Sequence, residues 1–66
     1  MQLLVNGEER RLENGSSLLD LVTSLGLDVR KVAVERNLEI VPRSTYGATV
    51  LAEGDRIEIV TFIGGG

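Results

Sequence analysis

The sequence predicts an α+β fold in which one main helix packs across a mixed sheet of four or five strands. Three observations support this prediction. The N-terminal dozen residues form two strand-like segments joined by Asn6-Gly7, the strongest short signal for a hairpin turn. A single amphipathic helix pattern comes next. Short apolar segments separated by turn residues then follow, as expected of further strands.

The predicted hairpin begins with a strand in which Met1, Leu3 and Val5 alternate onto one face with period two. Leu4 falls on the opposite, outer face of that strand. A second strand over residues 9–12 completes the pair.

The helix is predicted over residues 18–25. Ser17 is a typical N-cap, and Asp20, three residues later, can complete a capping box and suits the positive end of the helix. Gly26 is placed to end the helix at positive φ. One apolar stripe can cover a sheet, and it consists of Leu18, Leu21, Val22 and Leu25.

The second half of the chain contains three predicted strands, at residues 32–34, 40–41 and 56–62. Leu38 is a poor residue for a turn that needs positive φ, so we expect an irregular turn at Asn37-Leu38. Pro42 marks the short strand before it as an edge strand or as the end of one, and residues 43–51 are expected to be irregular. The first and last strands are apolar on both faces, so they are expected to lie side by side and parallel in the middle of the sheet.

The outer face of the last strand carries Val60 and Phe62 close to the C-terminus. With Leu4 expected beside them, they would form an exposed apolar patch, which is typical of a docking surface. Ordinary surface apolarity, or a second small core cluster, remains an alternative. Glu58, on the same face, could meet a basic residue of a partner, as could the nearby Glu53 and Asp55; a solvated charged face is the alternative.

Composition excludes several function classes. The chain of 66 residues contains no cysteine and no histidine, so it can form no disulfide and has no Cys nucleophile, His base or thiolate or imidazole metal ligand. Its net charge is −3 and it has no basic stripe, which argues against nucleic acid as a partner. No long apolar run and no signal-peptide pattern occur, so we expect no membrane association and a cytoplasmic location.

The sequence ends in three glycines, Gly64, Gly65 and Gly66. We predict a folded domain over residues 1–63, with Ile63 as a hinge, and a flexible tail over residues 64–66. An arm without side chains could enter a narrow slot and deliver the α-carboxylate of Gly66. A frayed end or a cloning remnant is the alternative explanation.

Four features together resemble the thiamine-biosynthesis sulfur carriers of the ThiS family, over the whole chain. They are the glycine tail, "VNGE" at residues 5–8, "IVPRS" at residues 40–44 and "EGDRIEIV" at residues 53–60. The resemblance implies a β-grasp, ubiquitin-like fold. Members often carry Gly where Leu38 stands and Trp where Tyr46 stands, departures that we expect to affect loops more than function.

The resemblance also implies a function. A ThiF-type adenylyltransferase would use MgATP to adenylate Gly66, and sulfur from a cysteine desulfurase system would then replace AMP to give a thiocarboxylate. Thiazole synthase, ThiG, would take that sulfur into the thiazole of thiamine. The carrier would bind no cofactor and catalyse nothing itself. A carrier for molybdopterin synthesis (MoaD-like), a ubiquitin-like protein modifier and an inert interaction module remain alternatives.

Overall fold

The computed structural model describes residues 1–62. The predicted hinge at Ile63, the predicted tail at residues 64–66 and the domain boundary between them lie outside the described residues.

Five strands form one mixed sheet, and the predicted α+β architecture is confirmed. The strands are β1 (Gln2–Val5), β2 (Glu8–Arg11), β3 (Val32–Arg36), β4 (Glu39–Val41) and β5 (Arg56–Thr61). Their order in the sheet is β2-β1-β5-β3-β4. The pairing of β1 with β5 is parallel, as predicted, and the other three pairings are antiparallel. The C-terminal strand therefore lies at the centre of the sheet, between two neighbours.

The N-terminal hairpin closes through a two-residue turn. Asn6 has φ of 51° and Gly7 has φ of 81°, the positive values that a type I′ turn requires. The turn pairs Val5 with Glu8, so β2 begins one residue earlier than predicted.

Helix α1 (Leu18–Ser24) begins at the predicted capping box. The Ser17 hydroxyl accepts a hydrogen bond from the Asp20 N–H at 3.0 Å, and the Asp20 carboxylate accepts one from the Ser17 N–H at 2.9 Å. The chain leaves the helix through Gly26, whose φ of 75° confirms the predicted positive-φ position. The capping box thus pairs the Asp20 N–H, one of the backbone groups that the helix itself leaves without a partner.

The core lies between α1 and the inner face of the sheet. Three helix residues of the predicted stripe are fully buried there, and Leu25 packs at the margin. The buried apolar residues are Leu3, Val5, Leu18, Leu21, Val22, Val32, Val34, Tyr46, Leu51, Ile57 and Ile59.

The predicted irregularity of the second hairpin turn is wrong. Asn37 has φ of 51° and Leu38 has φ of 72°, and the turn joins Arg36 directly to Glu39 in regular register. Leu38 thus occupies a left-handed conformation that is sterically unfavourable for a residue with a Cβ atom. Its side chain is 75% exposed, so burial does not offset that cost.

Replacing Leu38 with glycine is expected to stabilise the fold by about 1 kcal/mol, because the left-handed strain disappears and little buried surface is lost. Urea unfolding of the unchanged protein and of Leu38→Gly checks this value. Leu38→Ala is the matched control: it shortens the side chain but keeps the Cβ atom, and should gain nothing. Equal stabilisation by both variants would show that exposed apolarity, and not backbone strain, is the cause.

Residues 43–51 are not wholly irregular, contrary to the prediction. A 3₁₀ helix spans Arg43–Ala48, and it buries Tyr46 to 3% exposure in the core. A second, shorter 3₁₀ helix spans Val29–Lys31 and leads into β3. A 3₁₀ helix repeats every three residues, so neither segment has the periodicity of an α-helix or a strand.

None of the helices within residues 1–62 has the length and apolarity needed to cross a membrane.

Candidate functional site

Strand β5 leads toward the C-terminal glycines, and hydrogen bonds from both neighbouring sides hold the backbone of its last residues. On one side, the Phe62 N–H donates a hydrogen bond of 2.8 Å to the Lys31 carbonyl, just beyond the pairing of Thr61 with Val32. The last described residue is therefore tied to the entrance of β3.

On the other side, the side chain of Asn6 takes the place of a further β1 residue. Its carboxamide Oδ1 accepts a hydrogen bond from the Ile59 N–H at 2.7 Å, and its Nδ2 donates one to the Ile59 carbonyl at 3.2 Å. The backbone N–H of Asn6 also donates to the Ile57 carbonyl at 2.9 Å. This side chain extends the support of β5 beyond the point where β1 turns away.

Asn37 makes a comparable contact at the start of β5. Its Oδ1 accepts a hydrogen bond from the Arg56 N–H at 2.9 Å, and its Nδ2 donates to the Asp55 carboxylate at 3.1 Å. Both asparagines occupy the first positive-φ position of a type I′ turn. Each hairpin turn thus uses its asparagine to anchor the central strand, which the turn signals in the sequence did not reveal.

Val60 and Phe62 lie on the exposed side of the sheet, 61% and 51% exposed, as the alternation predicted. Val60 pairs with Ala33, and Ile40, which is 78% exposed, lines the same shallow depression of about 120 Å³. We name Ala33, Ile40 and Val60 the outer apolar patch. The sequence pattern did not predict Ala33 and Ile40 as neighbours of Val60, because their position beside it depends on strand register.

The expected position of Leu4 beside Val60 is wrong. Leu4 is 40% exposed on the outer face, but it pairs with Arg56, four residues before Val60. At ~3.3 Å per residue, this register separates them by about 13 Å along β5. Glu58 lies between them and forms an ion pair with Arg56 at 3.7 Å. The exposed apolar side chains of β1 and β5 therefore form two separate areas.

Phe62 contributes to a second depression that continues the outer apolar patch around the end of the sheet. This groove of about 230 Å³ shares Ala33 and Ile40 with the patch. Its remaining lining includes Val32, Arg43, Tyr46 and Phe62. The base of the C-terminal segment therefore borders an apolar groove with an arginine at its margin.

The acidic residues near β5 differ in their availability to a partner. Glu58 stays partly exposed and faces Glu35 directly across the strands, an unfavourable like-charge pair. The Glu53 carboxylate accepts a hydrogen bond from the Gln2 N–H at 3.0 Å. Asp55 is only 6% exposed, so the expectation that it meets a basic residue of a partner is wrong.

Asp55 instead organises the start of β5. Its carboxylate accepts hydrogen bonds from Arg36 Nε at 2.9 Å, Asn37 Nδ2 at 3.1 Å and the Ala52 N–H at 2.8 Å. Burial alone would raise the pKa of Asp55, but these hydrogen bonds and the Arg36 charge outweigh it and lower that pKa.

Residues 1–62 bring together no group of three acidic side chains that could hold a metal ion. Near the base of the C-terminal segment, the described residues form an apolar patch, a groove and a set of charged side chains.

A family model, a relative in sequence and a solved structure all indicate the same family. The sequence model of the ThiS family matches residues 3–66. The sulfur carrier protein ThiS of Bacillus subtilis is 38% identical, over 97% of this chain and 98% of its own length. The crystal structure of the thiamine biosynthesis protein ThiS from Geobacter metallireducens superposes with a TM-score of 0.84, at 32% identity, and each chain is covered completely.

A relative of a different size is also similar. A thiazole synthase of Paramagnetospirillum magneticum is 54% identical over the whole of this chain, which spans only 20% of that protein's length. A second thiazole synthase, from Magnetococcus marinus, matches at 53% identity over the same share. Because the family match and the similarity to the B. subtilis and G. metallireducens proteins extend over nearly the whole chain, this chain belongs to the ThiS family of β-grasp proteins.

Proposed function

We propose that this protein is a sulfur carrier for thiazole formation in thiamine biosynthesis, and that Gly66 is the residue that carries the sulfur. The observation that carries the proposal is the match to the sulfur carrier protein ThiS along 98% of that protein's length. The fold agrees with this role, because the central strand β5 directs the chain toward Gly66 and two asparagine side chains anchor that strand.

The proposed chemistry begins with a carboxylate, which is a poor acyl donor. A ThiF-type adenylyltransferase joins the Gly66 carboxylate to AMP from MgATP and releases pyrophosphate. A persulfide, supplied by a cysteine desulfurase system, then attacks the carbonyl carbon, and AMP leaves. A thiol cleaves the S–S bond of the resulting acyl disulfide, which releases the thiocarboxylate and forms a new disulfide. The thiocarboxylate forms on Gly66, whose carboxylate was activated, and the chain contains no cysteine that could hold the sulfur as a persulfide instead. The carrier is a cosubstrate of these reactions and supplies no catalytic group.

Thiazole synthase is the proposed acceptor of the sulfur. Two proteins named thiazole synthase contain a region that is 54% and 53% identical to this chain, within a much longer polypeptide. A carrier-like region inside the acceptor enzyme keeps the two at high effective concentration, which supports a functional pairing of this chain with a thiazole synthase.

Growth of a strain that lacks its own carrier tests this assignment against the alternatives. This chain should restore growth without added thiazole, and a variant lacking Gly66 should not. Rescue of molybdopterin formation in its place would favour the MoaD-like alternative. Isopeptide adducts on other proteins would favour a modifier, and rescue by the variant lacking Gly66 would favour an inert module.

The outer apolar patch is the proposed docking surface for the partner enzymes. Replacing Val60 with serine should raise the KM of the adenylyltransferase for the carrier about tenfold, because a buried valine contributes about 1.5 kcal/mol to the complex. Leu4→Ser is the matched control: it also removes an exposed apolar side chain from the outer face, about 13 Å away along the strand. If both changes raise KM equally, Leu4 belongs to the docking surface after all.

A further inference from the structure

The cationic side chains of this chain divide into two groups. Four of the seven form ion pairs within residues 1–62, namely Arg10 with Glu8, Arg30 with Asp28, Arg36 with Asp55, and Arg56 with Glu58. The remaining three are Arg11, Lys31 and Arg43, which form no ion pair with a carboxylate of the described residues. All three are exposed.

Two of these three cations lie near the base of the C-terminal segment, both on the β3 side of β5. The carbonyl of Lys31 accepts the hydrogen bond of the Phe62 N–H at 2.8 Å, so Lys31 lies beside the last described residue on β3's side. Arg43 and Phe62 line the same groove. Arg11 lies elsewhere, on the edge strand β2 at the far end of the sheet order.

The charge around this point is opposite to that of the whole chain. Lys31 and Arg43 contribute +2 near Phe62 in a chain of net charge −3. Glu35 and Glu58 lie further along the sheet, where they line the adjoining depression of the outer apolar patch. The positive charge is therefore concentrated where the chain leaves the sheet.

We propose that Lys31 and Arg43 form a basic rim along the β3 side of the base of the C-terminal segment, and that this rim docks on an acidic surface at the mouth of the adenylating partner's site. The inference rests on the proposed function. The adenylating partner is the occupant, because Gly66 must enter its site before any sulfur is carried, and the rim lies beside the base of the segment that enters.

The rim, the groove and the outer apolar patch together suit contact with the surface of another protein. The rim adjoins the outer apolar patch through the groove that Ala33 and Ile40 share, which gives an apolar centre bordered by charge. Complementary charges at such a border accelerate the encounter of two proteins and orient them, and salt weakens the effect. Such orientation would bring the C-terminal segment to the partner's site first.

The test measures pyrophosphate release by a ThiF-type adenylyltransferase and ATP with the full chain as substrate. Lys31→Glu and Arg43→Glu are each expected to lower kcat/KM about tenfold at low salt, through KM, with kcat unchanged. Added salt should lower kcat/KM for the unchanged protein and should raise it for the double variant Lys31→Glu, Arg43→Glu, because salt then screens a repulsion between like charges. Arg11→Glu is the matched control, because it makes the same change in net charge at an exposed cation far from the rim.

Each outcome has a clear consequence. If Arg11→Glu lowers kcat/KM as much as the rim variants do, net charge and not the rim is the cause, and the proposal is wrong. The proposal is also wrong if the rim variants leave kcat/KM unchanged. Rim variants that are adenylated normally, but transfer sulfur poorly to thiazole synthase, would place the acidic surface on that enzyme and overturn this proposal. In these cases adenylation of Gly66 continues and the proposed function stands. No adenylation of the unchanged chain, by a partner shown to be active on its own carrier, would contradict the proposed function as well.

Discussion

Asp55→Ala is expected to destabilise the fold by about 2–4 kcal/mol, because it removes one buried acceptor that several donors share. The Ala52 N–H, the Asn37 amide and the Arg36 guanidinium all donate to this carboxylate. Arg36 is 30% exposed and can regain water, which limits the cost. A domain of this size has a free energy of unfolding of only about 3–10 kcal/mol, so the variant should lose a large share of its stability.

Urea unfolding at neutral pH checks this value. Asp55→Asn is the informative second variant: it keeps the size and one acceptor oxygen, removes the charge, and should cost less than alanine. A loss below about 0.5 kcal/mol for Asp55→Ala, in the range of ordinary surface substitutions, would contradict the organising role assigned to Asp55.

The pH dependence of stability should report the same carboxylate. The pKa of Asp55 is lowered in the folded state, whereas an unfolded aspartate has a pKa of about 3.9. Its contribution to stability is therefore fully present above about pH 4 to 5 and is lost as pH falls through the lower, folded-state pKa. Acid titration of the free energy of unfolding should fall less steeply for Asp55→Asn than for the unchanged protein. Parallel curves would show that Asp55 makes no such contribution.

Asn6→Ala is expected to cost about 2–3 kcal/mol, because it removes both hydrogen bonds to Ile59 and places a Cβ-bearing residue without a compensating polar group at φ of 51°. Asn6→Gly separates the two causes. Glycine accepts the positive φ at little cost and loses only the hydrogen bonds, so it should cost about 1–2 kcal/mol.

Amide hydrogen exchange gives the local measurement for the same pair of variants. The Ile59 N–H donates to the Asn6 side chain, so it should exchange faster in both variants, while the Val34 region on the far side of β5 should change only with global stability. Unchanged protection of Ile59 in Asn6→Gly would show that the side chain does not support the end of β5. Because Val60 and Phe62 follow directly, loss of this support should also raise the KM of the adenylating partner.

The elements that the sequence predicted correctly are those whose causes are local. Ser17 and Asp20 form the predicted capping box, the helix stripe is buried, and Asn6-Gly7 forms the predicted turn. Each depends on residues within a few positions of one another, where spacing alone determines the contact. The parallel pairing of β1 with β5 was also predicted, because strands that are apolar on both faces belong in a sheet interior.

The errors concern contacts between residues distant in the sequence. Leu4 and Val60 share a face, but only the register of β1 on β5 shows that Arg56, and not Val60, lies opposite Leu4. Asp55 resembles an exposed turn residue until its bonds to the Arg36 and Asn37 side chains are known. A period-two pattern determines which face a residue occupies and leaves its neighbours on that face undetermined.

The wrong prediction of an irregular turn at Leu38 has a different cause. Leucine disfavours the positive φ of a regular turn, yet the pairing of β3 with β4 and the hydrogen bonds of Asn37 to Asp55 and Arg56 impose one. Tertiary contacts thus override a local preference at a modest cost.

Intact mass spectrometry tests the central claim, that Gly66 carries sulfur, most directly. The protein is incubated with its adenylyltransferase, MgATP and a sulfur source, and a variant lacking Gly66 is treated in parallel. We expect a gain of about 16 Da, the replacement of one carboxylate oxygen by sulfur, located by fragmentation on Gly66 and absent from the variant. An unchanged mass with a partner shown to be active, or a gain at any other residue, would contradict it.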